Sequence, residues 1–171
     1  MGYEENIEEA VRLFLDIRSR NGCAFFIGNG GSAGIAMHMT ADFLKNGRMR
    51  THGMYDTATL TCLANDFGYE HCFSQQIEWL AKAEDVLVAI SSSGESENIL
   101  NAVKIAREKG CSILTLTGFR PDNTLRQMGD MNIYVPSDEY GIVESIHNMI
   151  LQQVVDEILE RDKGKTEGKT L

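Results

Sequence analysis

Val86-Leu87-Val88-Ala89-Ile90 is an apolar run with no polar interruption, which is how a strand buried on both faces reads. Strands of that kind belong to parallel sheets covered by helices on both sides. Other strand candidates lie at residues 23–27, 112–116 and 131–135, with a weaker one at 49–55 that has few β-branched residues. Helical spacing fills the intervals between them. Ile7, Val11, Phe14, Leu15 and Arg18 share a helical period that Asn21-Gly22 stops. Residues 35–44 form a second helical segment, closed by Lys45-Asn46-Gly47. Asp56-Thr57 can cap a third that passes Leu60 and Leu63 to Asn65-Asp66, and Phe73, Ile77, Trp79 and Leu80 mark another beyond Gly68. Ile99, Leu100, Val103, Ile105 and Ala106 mark a strong helix ending at Lys109-Gly110, and the last runs over 142–159. Alternating strands and helices joined by right-handed crossovers define one α/β domain over residues 1–160. The charged segment 161–171 is expected to be a disordered tail.

In such sheets, ligands gather beyond the carboxyl ends of the strands. Two loops fall there. Gly28-Asn29-Gly30-Gly31-Ser32-Ala33-Gly34 joins the first strand to the second helix. Glycines let that backbone come close to a ligand, and the free N–H groups of a helix start point at an anion. Ser91-Ser92-Ser93-Gly94-Glu95-Ser96 follows the apolar run directly. Its hydroxyls and helix-start amides can hold a phosphate without a lysine, whereas helix capping alone needs only one hydroxyl. Gly28, Gly30 and Ala33 also fit a dinucleotide fingerprint, with Asp56 the nearest acidic residue for a ribose. That reading remains a rival.

Several polar side chains could carry chemistry. His38 and Asp42 stand four residues apart on one helix face, and Glu144 and His147 form a similar pair on the last helix, near Asn148 and Gln152. Each pair could equally belong to a solvated face. Together they form a set able to hold a divalent ion such as zinc. Asn65-Asp66-Phe67-Gly68 reads as a helix end with a turn, or as an amide and a carboxylate offered to ligand hydroxyls.

Formal net charge is -9, which argues against nucleic acid as the main partner yet permits a small phosphorylated ligand held by loops and helix dipoles. No apolar run reaches the length of a membrane span. The acidic start, residues 1–7, lacks the features of a signal peptide. Cys23, Cys62, Cys72 and Cys111 have no metal-ligand spacing and are expected to be buried thiols in a reducing cytoplasm.

Taken in order, these motifs resemble the sugar-isomerase (SIS) domain, and within it the phosphoheptose isomerases. The resemblance rests on Gly28-Asn-Gly-Gly-Ser32, Met37-His38, Ala64-Asn-Asp-Phe-Gly68, Asp85-Val-Leu, Ser91-Ser-Ser-Gly-Glu-Ser96, Ala106-Arg-Glu-Lys-Gly110, Leu114-Thr-Leu-Thr-Gly118 and the helix from Glu144. It implies a three-layer sandwich around a parallel, flavodoxin-like five-stranded sheet. It also implies interconversion of sedoheptulose 7-phosphate and D-glycero-D-manno-heptose 7-phosphate through an enediolate, in heptose and cell-surface carbohydrate biosynthesis. Zinc or another divalent metal would assist, at sites between subunits of a homotetramer or dimer.

By the same resemblance, Asn29, Gly30, Gly31 and Ser32 touch the substrate, Asn65 and Asp66 bind sugar hydroxyls, and Ser91, Ser92, Ser93 and Ser96 hold the phosphate. His38 and Asp42 fall on a metal-binding His and on a Glu that is both metal ligand and base. Glu144 stands where the family has Gln, and Gln152 where it has a second catalytic, metal-binding His. The expected metal set is therefore His38, Asp42, Glu144 and Gln152, with Asp42 as base and Gln152 or His147 completing the site. His147 differs in direction from position 152 by about 140° on the helix. A non-catalytic, sugar-phosphate-binding SIS protein with a regulatory or interaction role is the alternative.

Overall fold

The computed structural model describes residues 2–167. Its sheet has five parallel strands: β1 (Cys23–Gly28), β2 (Arg50–Gly53), β3 (Val86–Ser91), β4 (Ser112–Thr117) and β5 (Met131–Tyr134). Their order, β2-β1-β3-β4-β5, is the doubly wound, flavodoxin-like order. β1 and β3 are neighbours, with Gly28 paired opposite Ile90, so both loops begin at the same height on the sheet.

Alternation of side chains along each strand builds the two outer layers. Ala24, Phe26, Val88, Ile90, Leu114 and Leu116 face one core, closed by α1 (Tyr3–Ser19), α2 (Gly31–Lys45) and α6 (Tyr140–Glu167). Cys23, Phe25, Ile27, Leu87, Ala89 and Ile113 face the other, beneath α3 (Thr57–Phe67), α4 (Ser74–Leu80) and α5 (Glu97–Glu108). Every residue of β1 and β3 is buried, as an unbroken apolar run requires. On the first face, Phe14, Phe26 and Phe43 interlock, with ring centroids 4.3 Å (Phe14–Phe43) and 5.2 Å (Phe26–Phe43) apart.

Two backbone joints matter for the site. Asp85 is buried just before β3, where its carboxylate accepts from the amides of Cys23 (2.7 Å) and Lys82 (2.8 Å) and so ties the starts of β1 and β3 together. At the other end, β2 stops opposite Phe26, leaving Gly28 without a strand partner on that side. The Tyr55 hydroxyl fills that place. It accepts from the Gly28 amide at 2.7 Å and donates to the Gly28 carbonyl at 2.9 Å, and burial raises its pKa.

Three expectations need correction. The last helix does not end near residue 159 but runs to Glu167, so residues 161–167 are helical and not a disordered tail; residues 168–171 lie outside the described residues. The extension is held against α1, where Arg18 forms a bidentate pair with Asp162 (2.8 Å on each arm) and Arg161 pairs with Glu8. Cys62 is exposed, whereas Cys23, Cys72 and Cys111 are buried as expected. Finally, Asp56 is committed to capping: it accepts from the Thr59 amide at 2.8 Å and the Thr59 hydroxyl at 2.7 Å, which lowers its pKa. It is not free to hold a ribose. Among the described residues, no helix is long and apolar enough to cross a membrane.

Phe43 is fully buried between two other rings, so Phe43→Ala should cost about 3–5 kcal/mol of unfolding free energy, read as a lower urea midpoint.

Candidate active site

The β1–α2 turn and the serine loop face one another across a cavity of about 340 Å³. Asn29, Gly30, Gly31 and Ser32 line one wall; Ser91, Ser92, Ser93 and Ser96 line the other; Tyr140 and Glu144 of α6 close it. Gly30 takes φ +55°, the left-handed conformation that glycine adopts without strain, and this turns the chain into α2. Among the described residues, no lysine or arginine lines the cavity.

Capping accounts for only part of the serine loop. Ser91 Oγ accepts from the Gly94 amide at 3.2 Å and Ser93 Oγ from the Glu95 amide at 3.3 Å. Ser96 occupies the N-cap position of α5, yet its hydroxyl makes no capping bond. Ser92 is buried, and its hydroxyl has no partner among the described residues. Two hydroxyls and the first amides of α5 thus stay available at a cavity wall, as an anion site requires. The loop is braced from outside by Glu95, which accepts from the amide (2.9 Å) and hydroxyl (2.8 Å) of Thr124.

A second cavity, about 360 Å³, adjoins the first and is lined by Gly31, Gly34, Ile35, His38, Glu144, Ser145 and Asn148. Gly31 and Glu144 belong to both. A Cβ on Gly31 would fall 2.1 Å from Glu144 Oε2, so the carboxylate lies directly on the glycine backbone. His38 faces this second cavity, with Asp42 and Gln152 associated with it. His38 Nε2 lies 2.9 Å from Asp42 Oδ2, and the Gln152 amide nitrogen donates to the same oxygen at 2.6 Å and lies 3.0 Å from His38 Nε2. Neither Asp42 nor Gln152 lines either cavity.

The expected site residues are therefore only partly brought together. His38, Asp42 and Gln152 converge through hydrogen bonds, whereas Glu144 lies over Gly31 and shares the second cavity with His38. Among the described residues, no three His, Cys, Asp or Glu side chains stand close enough to hold a metal ion. A zinc ion needs three or four strong donors. Within one chain, His38, Asp42 and Gln152 bring together one imidazole, one carboxylate and one amide, fewer strong donors than a zinc site uses.

His147 is also not at the site. It is fully buried and donates from Nε2 to the Thr117 carbonyl at 3.1 Å, which leaves Nδ1 without a partner. Burial pushes its pKa down to about 4, with the Thr117 bond opposing the shift. Asn65 and Asp66 lie exposed on α3, where Asn65 donates to Asp66 at 2.8 Å, and they line neither cavity.

One arrangement has no counterpart among the sequence motifs. Asn29 forms a reciprocal amide pair with buried Asn98, 2.9 Å in each direction, and its Oδ1 also accepts from the Tyr69 hydroxyl at 2.8 Å. Asn98 sits two positions after Ser96 on the buried face of α5. A polar residue at that spacing is the signal the sequence offers.

A five-stranded doubly wound sheet with two facing glycine- and serine-rich loops at its carboxyl edge defines an α/β protein of the anion-cradling class. The chain belongs to the SIS domain family, whose model matches residues 3–118, and within it to the phosphoheptose isomerases. It is 34% identical over 159 residues to a phosphoheptose isomerase of Helicobacter pylori strain P12, covering 90% of this chain and 82% of that one. A Geotalea daltonii phosphoheptose isomerase is 36% identical over 165 residues, covering 93% and 85%. Among solved structures, the phosphoheptose isomerase of Neisseria gonorrhoeae superposes with a TM-score of 0.85 at 34% identity, covering 90% of this chain and 85% of that one. The Francisella tularensis phosphoheptose isomerase gives 0.85 at 30% identity, covering 91% and 86%.

The buried His147 makes a pH prediction. Its folded-state pKa of about 4 lies below the unfolded imidazole value, so it is neutral in the fold while the unfolded chain takes up a proton. Its contribution to stability should be complete above about pH 6.5 and lost as pH falls toward 4, amounting to about 3 kcal/mol. Urea unfolding across that range, with His147→Leu as the reference lacking this slope, measures it.

Proposed function

We propose that this chain is an aldose–ketose isomerase acting on sedoheptulose 7-phosphate in heptose and cell-surface carbohydrate biosynthesis. The observation that carries the reading is the cavity between the turn at Asn29–Ser32 and the serines at 91, 92, 93 and 96, with a carboxylate at its junction with a histidine-lined cavity. The serine wall receives the phosphate, and the sugar extends past Asn29 and Gly31 toward Glu144 and His38. Holding the phosphate by hydroxyls and helix-start amides suits a protein of net charge -9. The curated relatives that share most of the chain's length carry the phosphoheptose isomerase name, which supports the choice of substrate.

Isomerisation needs a base for the proton beside the carbonyl and a group to move the hydroxyl proton of the enediolate. The side chains around the two cavities are the candidates within this chain for both roles. Free thiols at Cys23, Cys62, Cys72 and Cys111 support a reducing compartment, the cytoplasm. Exposed apolar side chains at Met37 and Leu44 of α2 and Trp79 and Leu80 of α4 support assembly into a homotetramer or dimer.

The test is conversion of sedoheptulose 7-phosphate by the purified chain. Ser96→Ala should raise KM about tenfold or more, the loss expected for one hydrogen bond to a charged phosphate, while leaving kcat nearly unchanged. Binding of the sugar phosphate without any conversion would replace this reading with the non-catalytic one.

A further inference from the structure

Among the described residues that line the two cavities, Glu144 is the one carboxylate and His38 the one imidazole. Asp42, which the family resemblance makes the base, lines neither cavity, and its Oδ2 is engaged by both His38 and Gln152. Asp42 Oδ2 already accepts from the Gln152 amide at 2.6 Å, which commits that oxygen to the contact with His38 and Gln152. Glu144 is in the opposite situation. It borders both cavities and lies on the backbone of Gly31, and among the described residues it has no hydrogen bond or ion pair. It therefore faces the space between the phosphate wall and His38, where the reacting carbons of a bound sugar phosphate would lie.

We infer that Glu144 is the catalytic base, that His38 relays the hydroxyl proton, and that Asp42 is a positioning residue acting through His38. The inference rests on the isomerase reading above. The Glu144 carboxylate takes one hydrogen of C1 as a proton. The C–H electron pair becomes the C1=C2 bond, and the carbonyl π pair moves to O2 to give the enediolate. His38 holds its Nε2 proton toward Asp42, so Nδ1 takes the O1 proton and passes it to O2. As O1 becomes the aldehyde oxygen, the C1=C2 pair takes back the proton from Glu144 at C2. Glu144 and His38 end as they began, and no oxidant or reductant is consumed. Gln152 and Asp42 hold the imidazole in the tautomer this relay needs.

The experiment follows sedoheptulose 7-phosphate in D2O, measuring both conversion and deuterium entry at C1, for the wild-type chain, Glu144→Gln, Gly31→Ala and Asp42→Asn. Glu144→Gln keeps the size of the side chain, and thermal unfolding checks its fold. It should lower kcat by about 10²–10⁴-fold and lose C1 exchange to the same degree, with KM changed little. Gly31→Ala reaches the same base by another route, because its Cβ would sit 2.1 Å from Glu144 Oε2 and displace the carboxylate; it should also lose exchange. Asp42→Asn should slow conversion more than exchange, because the enediolate still forms while the transfer from O1 to O2 is impaired. A merely structural defect would lower both together. If the wild-type chain converts no sedoheptulose 7-phosphate, the isomerase reading falls and this inference falls with it. If the wild type converts it and Glu144→Gln still exchanges C1 hydrogen within about tenfold of wild type, the Glu144 assignment alone is overturned. That assignment is equally overturned if Asp42→Asn abolishes exchange and Glu144→Gln spares it.

Discussion

The pairing of β1 with β3 is the constraint on which the rest depends. In a parallel sheet, adjacent strands send their following loops off the same edge, and here Gly28 and Ile90 are register partners. The glycine turn and the serine loop are therefore brought face to face by backbone hydrogen bonds formed far below them. Asp85 and Tyr55 secure the two ends of this unit, one at the strand starts and one where β2 gives out beside Gly28. Both use a side chain to replace a missing backbone partner. A cavity whose walls are fixed in this way loses little entropy when it orders a ligand.

Much of this architecture is legible in the sequence because it is written in contiguous residues. The unbroken apolar run at 86–90, the glycine turn and the serine loop each carry their structural meaning within a few positions, and all fold as that meaning implies. Convergence across long separations is not legible. Gln152 meets Asp42 and His38 at separations of 110 and 114 residues, and helical spacing cannot say whether two distant helices turn their polar faces together. The same blindness explains His147, whose spacing beside Glu144 suggests a site residue. Its direction on α6 sends it under β4 to a backbone carbonyl instead. The helical stretch at 161–167 escapes for a related reason: its charge suggests solvation, whereas Arg18 and Glu8 of α1 supply partners for that charge.

An anion cavity with a carboxylate on its rim and, among the described residues, no lining lysine or arginine looks electrostatically unfavourable. The geometry separates the two demands. Helix-start amides and hydroxyls face the cavity from the β3–α5 side, while Glu144 enters from α6, at the boundary with the second cavity. On the function proposed above, phosphate binding and proton transfer come from different layers of the sandwich.

Helix α6 carries Glu144 and Gln152 on one rigid rod, and its far end is clamped to α1. Each residue added or removed between those two positions would turn one against the other by about 100° and shift it by about 1.5 Å along the axis. The segment between them therefore works as a ruler of fixed length. An insertion in a surface loop would leave that register intact, whereas one within this stretch would not.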